Sequence, residues 1–317
     1  MDTFKADLSG NIAELNRNHV AVPSGSEAVR FTKMHGLGND YVYLLLEDNP
    51  RLAEASEAQL SALARCISHR HLGVGGDGMV MIAPSEVADF RMRMWNADGS
   101  EAQMCGNASR CVGKFVFDSG LTSSTHISLE TLAGIKQLEL HVRDAQVESV
   151  TVDMGRPTLA AAERPMLPDA ADALPAILTA ETEQGVLRFT GVSMGNPHGV
   201  AFVDEVTDDL VLGTGPRMEV HEAWPEKANI EFAHVQDREN IEMRVWERGT
   251  GETMACGTGA CATAVAAILH GLTDRRVRVH LPGGTLEIYW DAESDHVLMT
   301  GPATTVASGI YFYQQSV

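Results

Sequence analysis

The chain has 317 residues, of which 44% are hydrophobic and 21% charged, and its formal net charge is −19. This length can hold two domains of ordinary size, and so acidic a chain is poorly suited to binding nucleic acid or an anionic membrane surface. No run approaches the roughly 18 apolar residues of a membrane-spanning helix. The start of the chain lacks the features of a secretory leader, and the 5 cysteines are an odd number. We therefore expect a reducing, cytoplasmic location.

The elements predicted from hydrophobic periodicity form the same plan twice. Residues 1–30 are polar and are predicted to be an extension outside the core, with a short helix near Ile12–Leu15. The first half is then predicted to contain strands on either side of His35–Asp40, a helix over Ser56–His71, strands over Gly78–Ala83 and Phe90–Trp95, a helix over Gly106–Asp118 that stops at Gly120, and a hairpin over Ile127–Val142. After a loop at Arg164–Asp172, the second half is predicted to contain the motif Met194–Val200, a strand over Ile241–Trp246, a helix over Gly257–His270 and a hairpin over Val277–Trp290.

One sequence motif occurs twice, with a cysteine in each copy. Trp95 lies 10 residues before Cys105, and Trp246 lies 10 residues before Cys256, so the copies are offset by 151 residues. A glutamate stands 4 residues before each cysteine, and a Gly-Leu-Thr segment begins 15 residues after it. A repeat this long indicates paired domains rather than a solenoid, whose repeats have about 20–50 residues. We place the divide near residue 152.

Each of these two cysteines stands where a helix is predicted to begin. Small residues follow both, Gly106-Asn-Ala in one copy and Gly257-Thr-Gly-Ala in the other, and they let backbone N–H groups approach a ligand. The free N–H groups and positive end of a helix start are expected to lower the thiol pKa and can also hold a carboxylate. Two such sites can place an α-carbon between two sulfurs.

This arrangement suits proton exchange between two bases. A thiolate removes the α-proton from one face of the substrate, and a thiol returns a proton to the other face. Negative charge that develops on the carboxylate would be stabilised by the two helix starts. For Cys66, Cys111 and Cys261 we prefer the simpler interpretation, a small buried apolar side chain.

Other motifs in the chain support different functions less well. Gly73–Gly78 matches G-x-G-x-x-G, but it follows a helix and precedes a strand, so a glycine loop is preferred to a dinucleotide site. The cysteine spacings fit no zinc motif, and His35, His69 and His71 are interpreted as ordinary histidines. A cysteine hydrolase would need one thiol and leave the duplication unexplained.

Several polar residues could bind the rest of a substrate. Asn39, Asn96, Asn196 and Asn229 stand beside apolar or glycine segments, where an amide could reach an amino or carboxylate group; a role in turns is the alternative for Asn39 and Asn196. Glu247-Arg248 ends a predicted strand, and an arginine is well shaped to hold a second carboxylate, although a surface ion pair is the simpler interpretation.

Together these segments resemble the diaminopimelate epimerase family. The matching segments are Phe31–Asp40, Asn96–Ser100, Met104–Asn107, Gly195–His198, Asn229–Phe232, Glu247–Arg248 and Ala255–Cys261. They are in the family's order and span nearly everything from residue 31 onward, so the match is highly specific.

The resemblance implies an enzyme, without cofactor or metal, that interconverts LL- and meso-2,6-diaminopimelate for lysine and cell-wall synthesis. It implies an α/β fold of the α+β type, with two pseudo-symmetric domains, each a mostly antiparallel sheet wrapped around a central helix, and an active site in the cleft between them. Cys105 and Cys256 would be the acid/base pair, tuned by His198 and Glu247. The implied substrate-binding residues are Asn39, Asn96, Gly106, Asn107, Asn196, Asn229, Glu247, Arg248, Gly257 and Thr258.

The resemblance also implies where the domains begin and end. After the extension 1–30, the first domain would comprise residues 31–152 and 302–317, because the last strand returns to it, and the second would comprise 153–301. We expect a homodimer. Two departures stand out: many family members carry Gln where Gly78 stands, and Gly is common where Ala108 stands.

Three rival functions stay open at this level. The same scaffold could racemise another amino acid, such as proline or histidine, although a substrate with no distal carboxylate would have no use for Arg248. A redox protein could reversibly form a disulfide between Cys105 and Cys256. A binding protein would hold diaminopimelate without exchanging its α-hydrogen.

Overall fold

The structure, a computed structural model, describes residues 23–159 and 175–314. The helix expected near Ile12–Leu15 and the loop expected at Arg164–Asp172 lie outside the described residues. Strand β1 already begins at Glu27, and its Val29 is buried in the core. The folded part therefore starts earlier than residue 31, and the predicted extension includes the first residues of a core strand.

The described residues contain eighteen strands, which fall into two runs of similar order. The first run is β1 (Glu27–Gly36), β2 (Asn39–Leu45), β3 (Gly78–Ala83), β4 (Phe90–Asn96), β5 (Glu101–Ala102), β6 (His126–Thr131), β7 (Gly134–Arg143) and β8 (Gln146–Asp153). The second run is β9 (Ala176–Thr182), β10 (Gly185–Ser193), β11 (Pro197–Phe202), β12 (Asn229–Asp237), β13 (Asn240–Glu247), β14 (Gly251–Glu252), β15 (Arg276–Leu281), β16 (Gly284–Trp290), β17 (Val297–Pro302) and β18 (Thr304–Tyr313).

Strand pairing repeats across the two halves. In the first half β2 and β3 are parallel, β3 and β4 antiparallel, and β4 and β6 parallel, followed by antiparallel β7 and β8. Strands β11, β12, β13, β15, β16 and β17 repeat this pattern in the second half. The halves join where β8 pairs antiparallel with β17, so one continuous sheet has an internal pseudo-two-fold relationship.

The ends of the sheet are also related by this pseudo-symmetry. Strand β9 pairs antiparallel with β10, and the last strand, β18, pairs antiparallel with the equivalent first-half strand β1, from Glu27 opposite Tyr313 to His35 opposite Thr304. The predominantly antiparallel two-domain fold of α+β type is confirmed. The exact domain boundaries remain a prediction.

Four α-helices lie within the described residues, together with a 3₁₀ helix at Pro50–Glu54 and a π-helical segment at Asp209–Thr214. The helices are α1 (Glu57–Ser68), α2 (Gly106–Asp118), α3 (Gly215–Glu219) and α4 (Gly257–Leu269). None of the helices in the described ranges has the length and apolar character needed to cross a bilayer.

The predicted helices and hairpins of the repeat are confirmed. Helix α1 begins at a capping box between Ser56 and Gln59, but it ends at Ser68, because His69 is extended. The predicted stop at Gly120 is correct: its φ of 73° is left-handed, and Gly271 ends the second helix in the same way with a φ of 70°.

Helices α2 and α4 occupy the centre of the molecule. Both belong to one hydrophobic cluster with the inner faces of the surrounding strands, which includes Val112, Val116, Ala264, Val265 and Met299. Most residues of α4 are buried on all sides, and this explains a sequence dominated by Ala rather than by larger apolar residues. A small side chain allows close packing of the sheet around the helix.

Candidate active site

Each repeated cysteine is the residue from which a central helix begins. Cys105 has extended backbone (φ −139°) before α2, and Cys256 has extended backbone (φ −111°) before α4. The thiol of Cys256 accepts a hydrogen bond from the backbone N–H of Gly259 at 3.4 Å. Both cysteines are free thiols, and each lies beside the unpaired N–H groups of a first helical turn.

The two helix starts meet at the centre of the molecule. Asn107 Nδ2, in the first turn of α2, donates to the carbonyl oxygen of Ala255 at 3.1 Å. Met299 packs against both helices: a Cβ at Gly106 would lie 2.6 Å from its Cε, and a Cβ at Gly257 would lie 3.0 Å from its Sδ. A side chain at either position would require Met299 to shift, so the two glycines allow its present close packing.

Asn39 and Asn196 lie at equivalent turns and contact equivalent helix starts. Asn39 stands at the β1–β2 turn, where its Oδ1 accepts from the Cys105 thiol at 3.4 Å and from Asn107 Nδ2 at 3.3 Å. Asn196 stands at the β10–β11 turn, and its Nδ2 donates to Thr258 Oγ1 at 3.3 Å. The structure thus brings both amides to the cysteine helices.

A charged network holds Asn39 in place. Asp77 Oδ2 accepts from Asn39 Nδ2 at 2.8 Å, and Asp77 Oδ1 pairs with Arg70 at 2.7 Å. Arg70 and Lys33 also pair with Asp40. Burial raises the pKa of the Asp40 carboxyl, but its bonds to Arg70 and Lys33 outweigh that effect and hold the pKa below its usual value.

Asp77 is a residue that sequence reasoning missed. It lies in the Gly73–Gly78 loop, which was interpreted as a loop requiring glycine conformations, and Gly75 indeed has a φ of 82°. The loop follows α1 and leads into β3, as predicted. The pattern gave the conformation correctly, but it contained no signal that the acidic residue inside the loop would face Asn39.

A buried histidine–glutamate hydrogen bond lies beside the second cysteine. His198 Nδ1 lies 2.7 Å from Glu231 Oε1, and both side chains are completely buried. His198 Nε2 lies 3.0 Å from Asn196 Oδ1. A Cβ at Gly259 would lie 2.7 Å from Glu231 Oε1 and 3.2 Å from the Cys256 sulfur, so Glu231 borders the thiol. Glu231 was inside a recognised motif, yet sequence reasoning gave it no role.

Asn229, Glu247 and Arg248 lie together at the ends of β12 and β13. Asn229 Nδ2 donates to Pro197 O at 3.0 Å, and its Oδ1 accepts from Arg248 N at 3.0 Å. Arg248 is exposed and donates from Nη1 to Glu226 O at 2.9 Å. No carboxylate within the described ranges forms an ion pair with Arg248, so the simpler interpretation as a surface ion pair is not supported there.

Asn96 has a more local environment than the other candidate amides. Its Nδ2 donates to Ser100 Oγ at 3.0 Å inside its own turn. Asn96 is the last residue of β4 and pairs across the sheet with Gly78. Glu247 is the last residue of the equivalent strand in the second half, β13. At Gly78 a Cβ would overlap the backbone oxygen of Trp95, so the glycine that replaces the family's common Gln fits a close approach of β3 and β4.

The expected lowering of the thiol pKa values is wrong. Burial raises the pKa of Cys105, although the backbone N–H groups that follow it act in the opposite direction. The pKa of Cys256 is raised further, by burial first and then by the negative charges of Glu247 and Glu231. Burial also raises the pKa of Glu247. Loss of water around these groups outweighs the helix starts.

The remaining cysteines behave as predicted small apolar residues. Cys111 and Cys261 are fully buried in the central cluster, and Cys66 is half-buried on α1. Within residues 23–159 and 175–314, no group of three or more His, Cys, Asp or Glu side chains is arranged to hold a metal ion.

This fold is shared with solved structures of low sequence identity. A hydroxyproline epimerase from Agrobacterium vitis superposes with a TM-score of 0.66 and 16% identity, covering 91% of this chain and 93% of that one. A phenazine biosynthesis protein of the PhzF family from Bacillus anthracis gives a TM-score of 0.59 and 18% identity, covering 90% and 99%. The chain therefore has the two-domain fold of this group of proteins, with a cysteine at each central helix start.

Closer relatives identify the family. The family model for diaminopimelate epimerase matches residues 31–160 and 190–306. A diaminopimelate epimerase from Methanococcus maripaludis is 49% identical over 281 residues, which cover 89% of this chain and 99% of the relative. One from Acetivibrio thermocellus is 50% identical over 281 residues, with 89% and 98% covered. The chain belongs to the diaminopimelate epimerase family and is an enzyme of the isomerase class.

Proposed function

We propose that this protein interconverts LL- and meso-2,6-diaminopimelate by exchanging the proton on one α-carbon, a step of lysine and peptidoglycan precursor synthesis. The observation that carries the proposal is the meeting of two equivalent helix starts, each preceded by a free cysteine and joined by the bond from Asn107 to Ala255. Membership of the family supports the choice of substrate.

Cys105 and Cys256 carry the proton transfer. One of them, as a thiolate, takes the α-proton and becomes a thiol, and the electron pair of the broken C–H bond moves into the substrate's carboxylate. The other cysteine then gives its own proton to the opposite face of the α-carbon and becomes the thiolate. Configuration inverts, and the two cysteines have exchanged protonation states. The reverse reaction uses the same steps with the cysteines in opposite roles.

The helix starts hold the reacting carboxylate. Backbone N–H groups of Gly106, Asn107, Gly257 and Thr258 lie in first helical turns, where no helix carbonyl accepts from them, and provide donors on either side. Their dipoles stabilise the negative charge that develops when the α-proton leaves. No cofactor or metal enters this scheme.

Side chains around the helix starts recognise the rest of the substrate. Arg248 is proposed to bind the distal carboxylate, because its guanidinium is exposed and forms no ion pair within the described ranges. The amides of Asn39, Asn96, Asn196 and Asn229, with the Glu247 carboxylate, are proposed to bind amino and carboxylate groups. His198 and Glu247 are proposed to tune the thiols, through Asn196 and through the charge of Glu247 on Cys256.

The cellular setting is part of the proposal. Five unoxidised cysteines within the described chain suit a reducing cytoplasm, and we propose that the enzyme acts there as a homodimer. Sedimentation equilibrium of the full chain measures the oligomeric state, and a monomeric mass would reject the dimer.

Incubation of the reduced enzyme with LL-diaminopimelate in heavy water tests the function. Deuterium should appear at the α-carbon as the meso isomer forms. Cys105→Ala and Cys256→Ala should each abolish turnover, whereas Cys111→Ala, in the buried core, should retain it. Binding without deuterium incorporation would indicate a binding protein, and exchange with other amino acids but not with diaminopimelate would indicate a different racemase. A Cys256→Ala variant with normal turnover would reject the two-base scheme.

A further inference from the structure

We propose that Arg110 is a positioning residue that provides a fixed positive charge beneath the two cysteine helix starts and favours an anion at Cys105. The inference rests on the proposed function, because its benefit appears when a thiolate and a carboxylate occupy the site. It concerns a residue that neither the repeat nor the substrate motifs had singled out.

Arg110 is buried without a carboxylate. The side chain has no exposed surface, and no ion pair joins it to an acidic residue in the described part of the chain. Its Nε donates to Pro302 O at 3.1 Å, its Nη1 lies 3.7 Å from Met299 Sδ, and its Nη2 has no partner among the described residues. Burying an unpaired charge is energetically costly, so an anion in the active site would stabilise this guanidinium.

The surrounding backbone is shaped to hold this guanidinium. A Cβ at Gly36 would lie 2.9 Å from Arg110 Nη2, and a Cβ at Gly301 would lie 3.2 Å from Nε and 3.3 Å from Cζ. Side chains at these two glycines would crowd the group from β1 and from β17. The guanidinium therefore has one narrow space, between the first strand and a strand of the second half.

This space lies directly behind the helix starts. Met299, which Arg110 contacts, is also the side chain that packs against Gly106 and Gly257. Gly36, on the opposite side of the guanidinium, would place a Cβ 3.1 Å from both the Cβ and the carbonyl oxygen of Asn107. The positive charge therefore adds to the positive N-terminal ends of the two helices, and all three favour an anion in the site.

The second copy of the cysteine motif has no arginine at the position equivalent to Arg110. The residue that stands 151 positions after Arg110 is Cys261, a fully buried neutral side chain. Cys105 is followed five residues later on its own helix by a cation, whereas Glu231 borders Cys256. Glu247 acts on both thiols. The two sites therefore differ in Arg110 on one side and Glu231 on the other.

The other titratable groups considered around Cys105 do not provide a positive charge. Glu247, Tyr41, Tyr43 and Cys111 are near enough to interact electrostatically with it. All of these are anionic when ionised, whereas Arg110 is cationic and lowers the pKa of this thiol. Beside Cys256, the Glu231 carboxylate lies 2.7 Å from His198 Nδ1. Burial is the main cause that raises the pKa of both thiols, and the charge of Glu247 raises both as well. Glu231 adds to this effect at Cys256, whereas Arg110 lowers the pKa of Cys105.

Alkylation with iodoacetamide tests the proposal without substrate. The rates at Cys105 and Cys256 are followed separately, by mass spectrometry of their peptides, from pH 6 to pH 11 on the full-length wild type, Arg110→Met, Arg110→Lys and the exposed control Arg276→Met. In Arg110→Met the midpoint for Cys105 should rise by about one pH unit, and kcat/KM should fall about tenfold. Arg276→Met should match wild type.

Arg110→Lys provides a readout that loss of packing would not give. An ammonium in the same buried space restores the charge at neutral pH, but burial lowers its pKa, whereas an arginine stays charged. This variant should keep most activity near pH 7 and show a new loss of activity at alkaline pH. If Arg110→Met does not fold, this profile decides the matter.

Two outcomes would overturn the proposal. One is a folded Arg110→Met protein with the wild-type alkylation midpoint at Cys105. The other is an Arg110→Lys protein whose pH profile has no additional alkaline loss. If wild type fails to exchange the α-proton while the alkylation midpoint still shifts in Arg110→Met, the proposed function fails and the role of Arg110 stands.

Discussion

Asn107 and Ala255, which are 148 residues apart, are joined by a buried hydrogen bond of 3.1 Å. Asn107 follows one cysteine by two positions, and Ala255 immediately precedes the other. The bond therefore fixes the distance between the helix starts. It also connects with Asn39, whose Oδ1 accepts from the same Nδ2 at 3.3 Å. The geometry of the site thus depends on one amide shared between the two halves.

Asn107→Ala should lower both stability and turnover. The Ala255 carbonyl would lose its donor in a buried environment, which costs about 1–3 kcal/mol, and the helix starts would no longer be held together. Urea unfolding and kcat for diaminopimelate measure the two effects. Ser109→Ala is the matched control, because Ser109 is also buried on α2 but bonds only to Cys105 O within its own half. It should lose stability while keeping turnover; equal losses of turnover in both variants would contradict the prediction.

The duplicated architecture was accessible from the sequence because it is local and repeated. Periodicity gave the helix Gly106–Asp118 with its limits, and the same pattern predicted the second helix. Contacts between residues far apart in the sequence could not be predicted. Hydrophobic periodicity does not indicate, for example, that β8 pairs with β17.

Residues that act through tertiary contacts were harder to find. Asp77, Glu231 and Arg110 have ordinary neighbours in the sequence, and their importance comes from what folds against them. The direction of the thiol pKa change could not be predicted either, because it depends on how far the surrounding sheet excludes water from the thiols. The sequence predicted the helix starts but not the degree of their burial.

Stability should fall at alkaline pH because buried thiols resist ionisation. Burial raises the pKa of Cys111 from 9.0 to about 11 and that of Cys261 to about 12. A raised folded-state pKa contributes stability that is complete below the unfolded value and is lost as pH rises through the folded one. From pH 9 to pH 11, each thiol should reduce the free energy of unfolding by about 1.4 kcal/mol per pH unit.

Urea unfolding of Cys261→Ala at pH 7.5 and pH 10 checks this linkage. The variant should lose less stability between the two pH values than wild type does. Val112→Ala, a buried change on α2 that removes no ionisable group, should be destabilised equally at both. An identical pH dependence in Cys261→Ala and wild type would mean that this thiol does not contribute.

Glu231→Gln should make Cys256 more acidic. The negative charge of Glu231 is among the causes that raise the pKa of this thiol, after burial and Glu247; an amide of the same shape removes the charge, so the pKa should fall. The pH dependence of iodoacetamide alkylation at Cys256 measures the change. Weakening the buried hydrogen bond to His198 should also cost about 1–3 kcal/mol of stability.

The neighbouring acidic residue provides the control for that experiment. Glu252 lies 4 residues before Cys256, but its carboxylate pairs with Arg244 at 2.7 Å and it is exposed. Glu252→Gln should leave the alkylation midpoint of Cys256 unchanged. A midpoint that stays at the wild-type value in Glu231→Gln would show that the buried pair does not set the acidity of the thiol.

Arg248→Met should weaken the binding of diaminopimelate more than the chemistry at its α-carbon. The guanidinium is exposed, and its bond to Glu226 O leaves other N–H groups to form charge-assisted bonds with a distal carboxylate. Loss of two such bonds, worth about 3 kcal/mol, would raise KM roughly 100-fold. Arg248→Lys should recover only part of this affinity, because an ammonium cannot form the same planar pair of bonds.

A second substrate distinguishes binding of the distal carboxylate by Arg248 from a general effect of the substitution on the active site. For an α-amino acid that lacks a distal carboxylate, any slow racemisation by wild type should be unchanged in Arg248→Met, because that substrate never contacts the guanidinium. Arg238→Met, which removes an exposed arginine paired with Asp274, should leave KM for diaminopimelate at the wild-type value. If Arg248→Met binds diaminopimelate normally, recognition of the distal carboxylate must come from another part of the cleft, and the asparagine amides would be the next groups to vary.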